Sequence, residues 1–156
     1  MDYIRYIREM VGKKPIILNG VSVIFCNEQK EILLQKRNEK QKRWGLPGGL
    51  MELGESTKEC ALREVKEELG WTLSKEDLVL QEVYSGKDYF VTADNGDEFF
   101  VVTTVYVCQN FPKEAILLNE ESLEIAWFKQ QNFPENIPVS YKEALLDFFS
   151  QEKTVV

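Results

Sequence analysis

The sequence predicts an α+β fold in which helices cover a mixed β-sheet. Three observations lead to this prediction. Most of the chain consists of β-branched and aromatic runs bounded by turn-forming residues, which are typical of strands. Helical periodicity is clear only in one central segment and near the two ends of the chain. The length of 156 residues and the ordinary share of apolar residues, 44%, suit a single globular domain spanning 1–156.

The first predicted elements are a short helix and a β-hairpin. Apolar residues at helical spacing predict an amphipathic helix over 3–11. Pro15 then bars a helix, and a β-branched strand follows over 16–26. The polar run 27–30 predicts a turn into a second strand, 31–36, so we expect the two strands to pair as a hairpin.

The central helix has the clearest boundaries. Ser56 and Glu59 have the spacing of a capping box, and Gly70 suits the left-handed position just past a helix end. We therefore expect a helix over 56–69.

The second half of the chain is predicted to be mainly strand. Residues 94–96, Asp-Asn-Gly, indicate a tight turn between two β-rich runs, 78–92 and 98–109. A short strand ending at Phe128 and a last helix over about 140–149 complete the predicted order.

The residue counts exclude several classes of function. The 19 basic and 26 acidic residues give a net charge of −7, which is unfavourable for binding the backbone of a long nucleic acid. The chain has no histidine, which excludes Ser-His-Asp and Cys-His catalysis and HExxH zinc sites. Three widely spaced cysteines indicate reduced thiols and a cytoplasmic protein. No apolar run is long enough for a membrane span, so we expect no membrane association.

The central helix carries an acidic stripe next to its apolar stripe. Glu64, Glu67 and Glu68 share an arc of about 100° on the helical wheel. Like charges at this spacing weaken a helix unless something neutralises them. Carboxylates suit Mg²⁺, with Mn²⁺ as a substitute, and Mg²⁺ usually completes its shell with water and substrate phosphates. The stripe therefore indicates a metal site that faces a phosphate, the alternative being a solvated helix balanced by Lys and Arg.

The loop before this helix is rich in glycine. Gly48 and Gly49 permit backbone geometry that allows a carbonyl to approach an ion closely. Gly49 and Gly54 have the outer spacing of a P-loop, but Glu55 stands where a P-loop has lysine and would repel a phosphate. The loop is therefore not expected to bind a nucleoside triphosphate as a P-loop does.

Residues 49–71 resemble the Nudix box, G-x5-E-x7-R-E-U-x-E-E-x-G-U, in which U is a bulky aliphatic residue. Every fixed position of the pattern is filled, and Trp71 occupies the last U position as an aromatic residue. The fixed residues are Gly49, Glu55, Arg63, Glu64, Glu67, Glu68 and Gly70. On this resemblance the chain is identified as a member of the Nudix family.

The resemblance implies a fold, a cofactor and a reaction. Nudix proteins share an α/β/α sandwich with the box as a loop–helix–loop, and most hydrolyse a nucleoside diphosphate linked to another group. Glu67 and Glu68 would be metal ligands, and Gly48 would donate its carbonyl to the same ion. Glu64 would be a further ligand or the base that activates water.

The remaining box residues and the general base are also expectations from the resemblance. Arg63 and Glu55 would pair and hold the loop against the helix. Some family members place the base in the box, and others place it in the loop before the last strand. Here that loop offers Glu120 and Glu121, with Glu124 entering the strand, and we count Glu121 among the candidate metal ligands.

Substrate contacts are expected from a basic loop and from aromatic residues. Arg37, in the basic run 36–43, would contact a terminal phosphate or a ribose. Aromatic rings could stack on a base or be buried in the core, and the candidates are Trp44, Tyr84, Tyr89 and Phe99. Tyr89 lies 18 residues beyond Trp71, a spacing that in this family suggests dinucleoside polyphosphates, but one tyrosine does not select a substrate.

The favoured function is a metal-dependent nucleotide pyrophosphohydrolase acting on a (d)NTP, an NDP-sugar or a dinucleoside polyphosphate. Two alternatives stay open: a non-catalytic nucleotide-sensing module, which would tend to lose the box carboxylates present here, and removal of diphosphate from an RNA 5′ end. Isopentenyl diphosphate isomerisation is disfavoured because related isomerases bind a second metal through histidines, and this chain has no histidine. A homodimer through the N-terminal helix is also left open.

Overall fold

Eight strands form two sheets and three α-helices pack around them in the computed structural model, which describes residues 2–116, 118 and 120–154. The helices are α1 (Tyr3–Val11), α2 (Thr57–Leu69) and α3 (Val139–Thr154). The strands are β1 (Ile16–Phe25), β2 (Ile32–Arg37), β3 (Trp44–Gly45), β4 (Gly48–Leu50), β5 (Val79–Tyr84), β6 (Phe90–Thr92), β7 (Glu98–Cys108) and β8 (Ser122–Phe128). Within these ranges, no helix is long and apolar enough to cross a bilayer.

The larger sheet is mixed, as expected. Its order is β4-β1-β7-β5, with β6 also paired to β7. β1 and β7 run parallel along ten residue pairs, and the other pairs of this sheet are antiparallel. The smaller sheet is antiparallel, in the order β3-β2-β8.

The predicted hairpin between the first two strands is wrong. β1 and β2 lie in different sheets and meet only at one bridge, between Cys26 and Ile32. The reason is that β1 pairs with β7 on one edge and with β4 on the other, so its edges are occupied by distant strands. β2 turns away and pairs with β8 instead.

Alternate residues of the central strands face two separate cores. Val23 and Phe25 of β1 pack in the core beneath α2, whereas Ile24 packs in the core beneath α3. β2 follows the same alternation, with Leu33 facing α2 and Leu34 facing α3. The result is an α/β/α sandwich in which the sheets separate the two helices.

Local boundary signals are confirmed at α2. The Ser56 hydroxyl accepts a hydrogen bond from the Glu59 amide, and the Glu59 carboxylate accepts one from the Ser56 amide. Gly70 follows the helix in the left-handed conformation, with φ of +77°. These caps define the two ends of α2.

Two element boundaries differ from the sequence predictions. The single β-run expected over 78–92 is interrupted by a turn of 3₁₀ helix, Lys87–Tyr89, which separates β5 from β6. The terminal helix α3 continues to Thr154, beyond the predicted end at 149. The tight turn over 94–96 is confirmed, and it joins β6 to β7.

Candidate active site

The site forms where α2 packs against β4. Gly48 and Gly49 of β4 lie opposite Ser22 and Val21 of β1. A Cβ atom on Gly49 would overlap the carboxyl group of Glu64, and one on Gly48 would overlap the carbonyl oxygen of Val21. Only glycine at both positions therefore allows the backbone to lie this close to the carboxyl group.

Arg63 joins the loop to the helix through a bidentate ion pair with Glu55. Its Nε and Nη2 donate to the two Glu55 carboxylate oxygens at 2.6 and 2.9 Å. Nη2 also donates to the Leu50 carbonyl at 3.2 Å, and the Glu52 amide donates to Glu55 at 2.7 Å. The hydrogen bonds from Arg63 hold the pKa of Glu55 below its ordinary value. This cluster binds the loop 50–55 firmly to α2.

The three glutamates of the acidic stripe have different surroundings. Glu68 is only 2% exposed, and it accepts from Gln35 Nε2 at 2.6 Å and from the Gly48 amide at 3.4 Å. Glu64 lies beside Glu68 and accepts from Arg63 Nη1 at 2.8 Å. The Glu67 carboxylate is 56% exposed and lies 3.3 Å from the same Arg63 nitrogen. Glu68 is therefore buried, Glu64 beside it is partly buried, and Glu67 lies at the solvent margin.

Burial sets the protonation of this carboxylate pair. Loss of water raises the pKa of Glu68 to about 8, and the neighbouring Glu64 carboxyl adds to the effect. Desolvation also raises the pKa of Glu64. Two acidic groups packed together away from water resist carrying two negative charges unless a cation is nearby.

The donor set fits a hard divalent cation. Across residues 2–116, 118 and 120–154, no three acidic, cysteine or histidine side chains already converge as a metal-binding cluster. The carboxyl pair of Glu64 and Glu68 nevertheless offers oxygen ligands, and the glycine backbone beside it leaves space that a side chain would fill. Oxygen ligands in a site open to solvent on one side suit Mg²⁺ or Mn²⁺ better than zinc.

A cleft of about 240 Å³ has Gly48 and Gly49 in its wall, and Gly49 also lies against the Glu64 carboxyl group. Arg37 lies in this cleft. Its Nη2 donates to the Leu46 carbonyl at 3.1 Å and to the Tyr141 hydroxyl at 2.9 Å. Its buried Nε has no hydrogen-bond partner within the described part of the chain.

Other residues that line the cleft include a second arginine and two aromatic rings. Arg43 makes a bidentate pair with Glu39, at 2.6 and 3.1 Å, which neutralises its charge. Phe99 and Tyr141 contribute aromatic rings to the wall. The sequence had suggested Phe99 but not Tyr141, because a single tyrosine at the start of a terminal helix carries no distinctive signal.

The acidic loop before β8 lies at the surface. The Glu121 and Glu120 carbonyls accept hydrogen bonds from the amide and the side chain of Asn38, at 3.0 and 3.1 Å. The side chains of Glu120, Glu121 and Glu124 are exposed. The backbone of Glu120 and Glu121 is thus held beside the end of β2. The carboxylates of this loop are exposed, unlike that of Glu68.

The sequence of the whole sandwich, not only of its central helix, belongs to a known family. The sequence model of the NUDIX domain matches residues 17–148. The chain belongs to the Nudix family.

Named proteins and a solved structure show the same relationship. The nucleoside triphosphatase NudI of Escherichia fergusonii is 28% identical over 127 residues, covering 78% of this chain and 82% of that protein. A putative 8-oxo-dGTP diphosphatase of Bacillus subtilis is 48% identical over 52 residues, or 33% of this chain and 34% of that protein. A MutT NUDIX hydrolase from Burkholderia pseudomallei superposes with a TM-score of 0.69 at 26% identity, covering 84% of this chain and 97% of that one. This Nudix protein is accordingly a hydrolase of phosphorus-containing acid anhydrides.

Three of the four aromatic residues suggested for base stacking are instead buried in the core, and one of them is Tyr84, which is 3% exposed and donates its hydroxyl hydrogen to Asp147 at 2.7 Å. Trp44 is 8% exposed and packs edge-on against Phe128, with ring centroids 5.0 Å apart. Tyr89 is 3% exposed, and its hydroxyl donates to Glu143 at 2.9 Å. The expectation that these three rings contact substrate is corrected, because burial beneath α3 leaves none of them available to a nucleotide.

Packing explains why an aromatic residue, Trp71, occupies the last aliphatic position of the Nudix box. Trp71 stacks on Phe111 with centroids 5.2 Å apart, and its indole nitrogen donates to the Glu114 carbonyl at 3.3 Å. Phe25 meets both rings edge-on. An aliphatic residue would lose the stacking and the hydrogen bond that connect the box to the segment after β7.

Proposed function

We propose that this Nudix hydrolase uses a divalent cation to cleave the diphosphate linkage of a nucleoside diphosphate derivative, by attack of water on phosphorus. The observation that carries the proposal is the carboxyl pair of buried Glu68 and partly buried Glu64, next to a glycine backbone that also lines a cleft. A diphosphate bound in this cleft would reach the carboxylates along Gly48 and Gly49.

Glu68, Glu64 and Glu67 would hold Mg²⁺, with Mn²⁺ as a substitute, and the Gly48 carbonyl would add a ligand. When bound, the cation would neutralise charge on the diphosphate and polarise a phosphorus–oxygen bond. The carboxylates keep their negative charge best when that cation is present, because burial otherwise favours protonation.

Glu64 is the proposed general base. It is part of the carboxyl pair and lies against Gly49, whereas Glu121 lies on the exposed loop before β8. Arg63 and Glu55 would support Glu64 by holding the loop against α2.

Arg37 is the proposed phosphate or ribose contact. It is a cation in the cleft with a buried nitrogen that has no protein partner in the described chain, and neighbouring Arg43 is already paired with Glu39. Phe99 and Tyr141 offer ring faces for the base. Aromatic and guanidinium groups in a partly enclosed cleft suit recognition of a nucleotide.

Nucleoside triphosphates are the first substrates to test, because both named relatives act on this class by their names. NDP-sugars, dinucleoside polyphosphates and 5′-triphosphorylated RNA complete the panel. Hydrolysis in H₂¹⁸O would place the label on a phosphorus product, as attack on phosphorus requires.

The central variant is Glu68→Gln, which keeps the side-chain size but removes the charge. We expect a loss of turnover of at least about 100-fold with Mg²⁺, since a charged group in direct contact with the reacting site is removed. Glu82→Gln, an exposed glutamate on β5, is the matched control and should retain full activity. Near wild-type turnover in Glu68→Gln would overturn the metal assignment.

A further inference from the structure

We propose that Gln35 and Ser122 are positioning residues that fix the orientation of the Glu68 carboxylate and thereby set the affinity of the site for its divalent cation. The inference rests on the proposed function, in which Glu68 is a metal ligand. It adds two residues outside the Nudix box to the machinery of the reaction.

The three side chains form a continuous buried hydrogen-bond relay. Ser122 Oγ donates to Gln35 Oε1 at 3.0 Å, and Gln35 Nε2 donates to Glu68 Oε2 at 2.6 Å. All three residues are buried, with 7% exposure for Ser122 and 2% for each of the other two. Each polar end of the Gln35 amide therefore has a partner, and both partners are inaccessible to bulk water.

The position of Gln35 in the fold argues against a role in packing alone. It is in the middle strand of the smaller sheet, paired with Gly45 of β3 and Ile125 of β8. Leu33, two residues earlier on the same face, packs in the apolar core beneath α2. An apolar residue would fit the same surroundings, so a buried amide at this position is explained by the carboxylate that it meets.

Ser122 determines which end of the amide faces Glu68. A carboxylate accepts hydrogen bonds only, so it requires the NH₂ end of Gln35. The hydroxyl of Ser122 satisfies the oxygen end at the same time. Without that hydroxyl, the buried oxygen would lack a partner, and a rotated amide would direct its oxygen at the carboxylate.

The relay itself uses only one of the two oxygens of Glu68. Oε2 is the atom that receives both Gln35 and the Gly48 amide. Two donors on Oε2 restrict rotation of the Glu68 carboxyl group. Its Oε1 is therefore held in one position before a metal binds. Residues that orient metal ligands in this way typically change metal affinity or activity by 10–100-fold when they are removed.

The test compares Gln35→Met and Ser122→Ala with two controls, all as the full chain. Ser122→Thr keeps the hydroxyl, and Gln81→Met removes a partly buried glutamine that also makes two hydrogen bonds but lies far from α2, against Tyr84 and Ala144. The measurements are direct Mn²⁺ binding by electron paramagnetic resonance, the Mg²⁺ concentration that gives half-maximal hydrolysis, and KM at saturating Mg²⁺.

We expect Gln35→Met to weaken Mn²⁺ binding and raise the half-maximal Mg²⁺ concentration about 10-fold or more, with a smaller change in KM. Ser122→Ala should change the Mn²⁺ affinity and the half-maximal Mg²⁺ concentration in the same direction by a smaller factor. Ser122→Thr, which keeps the hydroxyl, should leave both close to their wild-type values. In the Gln35→Met background, Ser122→Ala should add no further loss of metal affinity, because the two residues act through one carboxylate.

Unchanged metal binding in folded Gln35→Met, with Glu68→Gln inactive, would overturn the relay and leave the proposed function standing. Unchanged metal binding in Glu68→Gln would overturn the proposed function itself. If Gln35→Met does not fold, the comparison of Ser122→Ala with Ser122→Thr decides: equal metal affinities in these two variants would refute the relay.

Discussion

At the scale of single residues, the chemistry of the site depends on where a carboxylate loses contact with water. Glu64, Glu67 and Glu68 lie on one arc of a helical wheel and look equivalent in the sequence. In the fold, Glu68 and Glu64 are desolvated and have raised pKa values, whereas Glu67 meets solvent and Arg63. Burial therefore places three identical side chains in different electrostatic surroundings.

Glu55→Gln tests whether the pair with Arg63 holds the loop. The change keeps the side-chain size but removes the charge from two short hydrogen bonds, so we expect the free energy of unfolding to fall by about 1–3 kcal/mol and the rate to fall with it. Urea denaturation measures the first effect. Glu9→Gln, in an exposed pair with Arg5 at 3.8 Å, should change stability by less than about 0.5 kcal/mol. Equal stabilities of Glu55→Gln and the parent protein would contradict the bracing role.

At the scale of elements, α2 and β4 create the site by close approach. The caps at Ser56 and Gly70 set the length of α2, and the packing of its apolar face in the core sets which side chains point toward β4. The two glycines of β4 then allow the strand to lie directly against the Glu64 carboxyl group. A helix with correct caps but a bulkier strand beside it would not form this site.

Gly49→Ala tests this close approach. The added methyl group would overlap the Glu64 carboxyl group, so we expect that carboxylate to move and turnover to fall about 100-fold. The melting temperature should fall as well.

The double variant Gly49→Ala/Glu64→Ala supplies the control for the steric explanation. Removing the carboxyl group removes the overlap, so the methyl group should cost less stability in the Glu64→Ala background than in the parent protein. Equal losses in the two backgrounds would show that the cost comes from the strand backbone and not from the carboxylate.

At the scale of the whole molecule, the sandwich buries acidic groups between two apolar cores, and this makes stability depend on pH. The folded-state pKa of Glu68, about 8, lies above its ordinary value of 4.5. Its contribution to stability is therefore fully present below about pH 4.5 and is lost as the pH rises toward 8. The contribution of Glu55 to stability has the opposite pH dependence. Its pKa is lowered in the folded state, so its contribution is lost as the pH falls.

We therefore expect metal-free protein, kept in EDTA, to lose thermal stability as the pH rises from about 5 to about 8. Glu68→Gln cannot titrate, so its melting temperature should fall less over the same range. Scanning calorimetry of both proteins across this range measures the difference. Parallel curves would show that Glu68 does not titrate there.

The sequence by itself determined the local features of this protein. The capping box, the Gly70 terminus, the turn at 94–96 and the acidic stripe each depend on residues within one or two helical turns or one tight turn. Their hydrogen bonds and periodicity are confirmed because short-range geometry follows directly from neighbouring residue types. The Nudix box belongs to this class, and it predicted the family without any tertiary information.

Only the tertiary structure decided which distant segments meet. The expected hairpin is wrong because β1 pairs with β7 and β4 instead of β2. Trp44 and Tyr89 are not substrate contacts because their rings pack in the core beneath α3. The relay to Glu68 joins Gln35 to Ser122, 87 positions along the chain. Such contacts depend on which apolar faces pack together over the whole chain, and no local pattern encodes that choice.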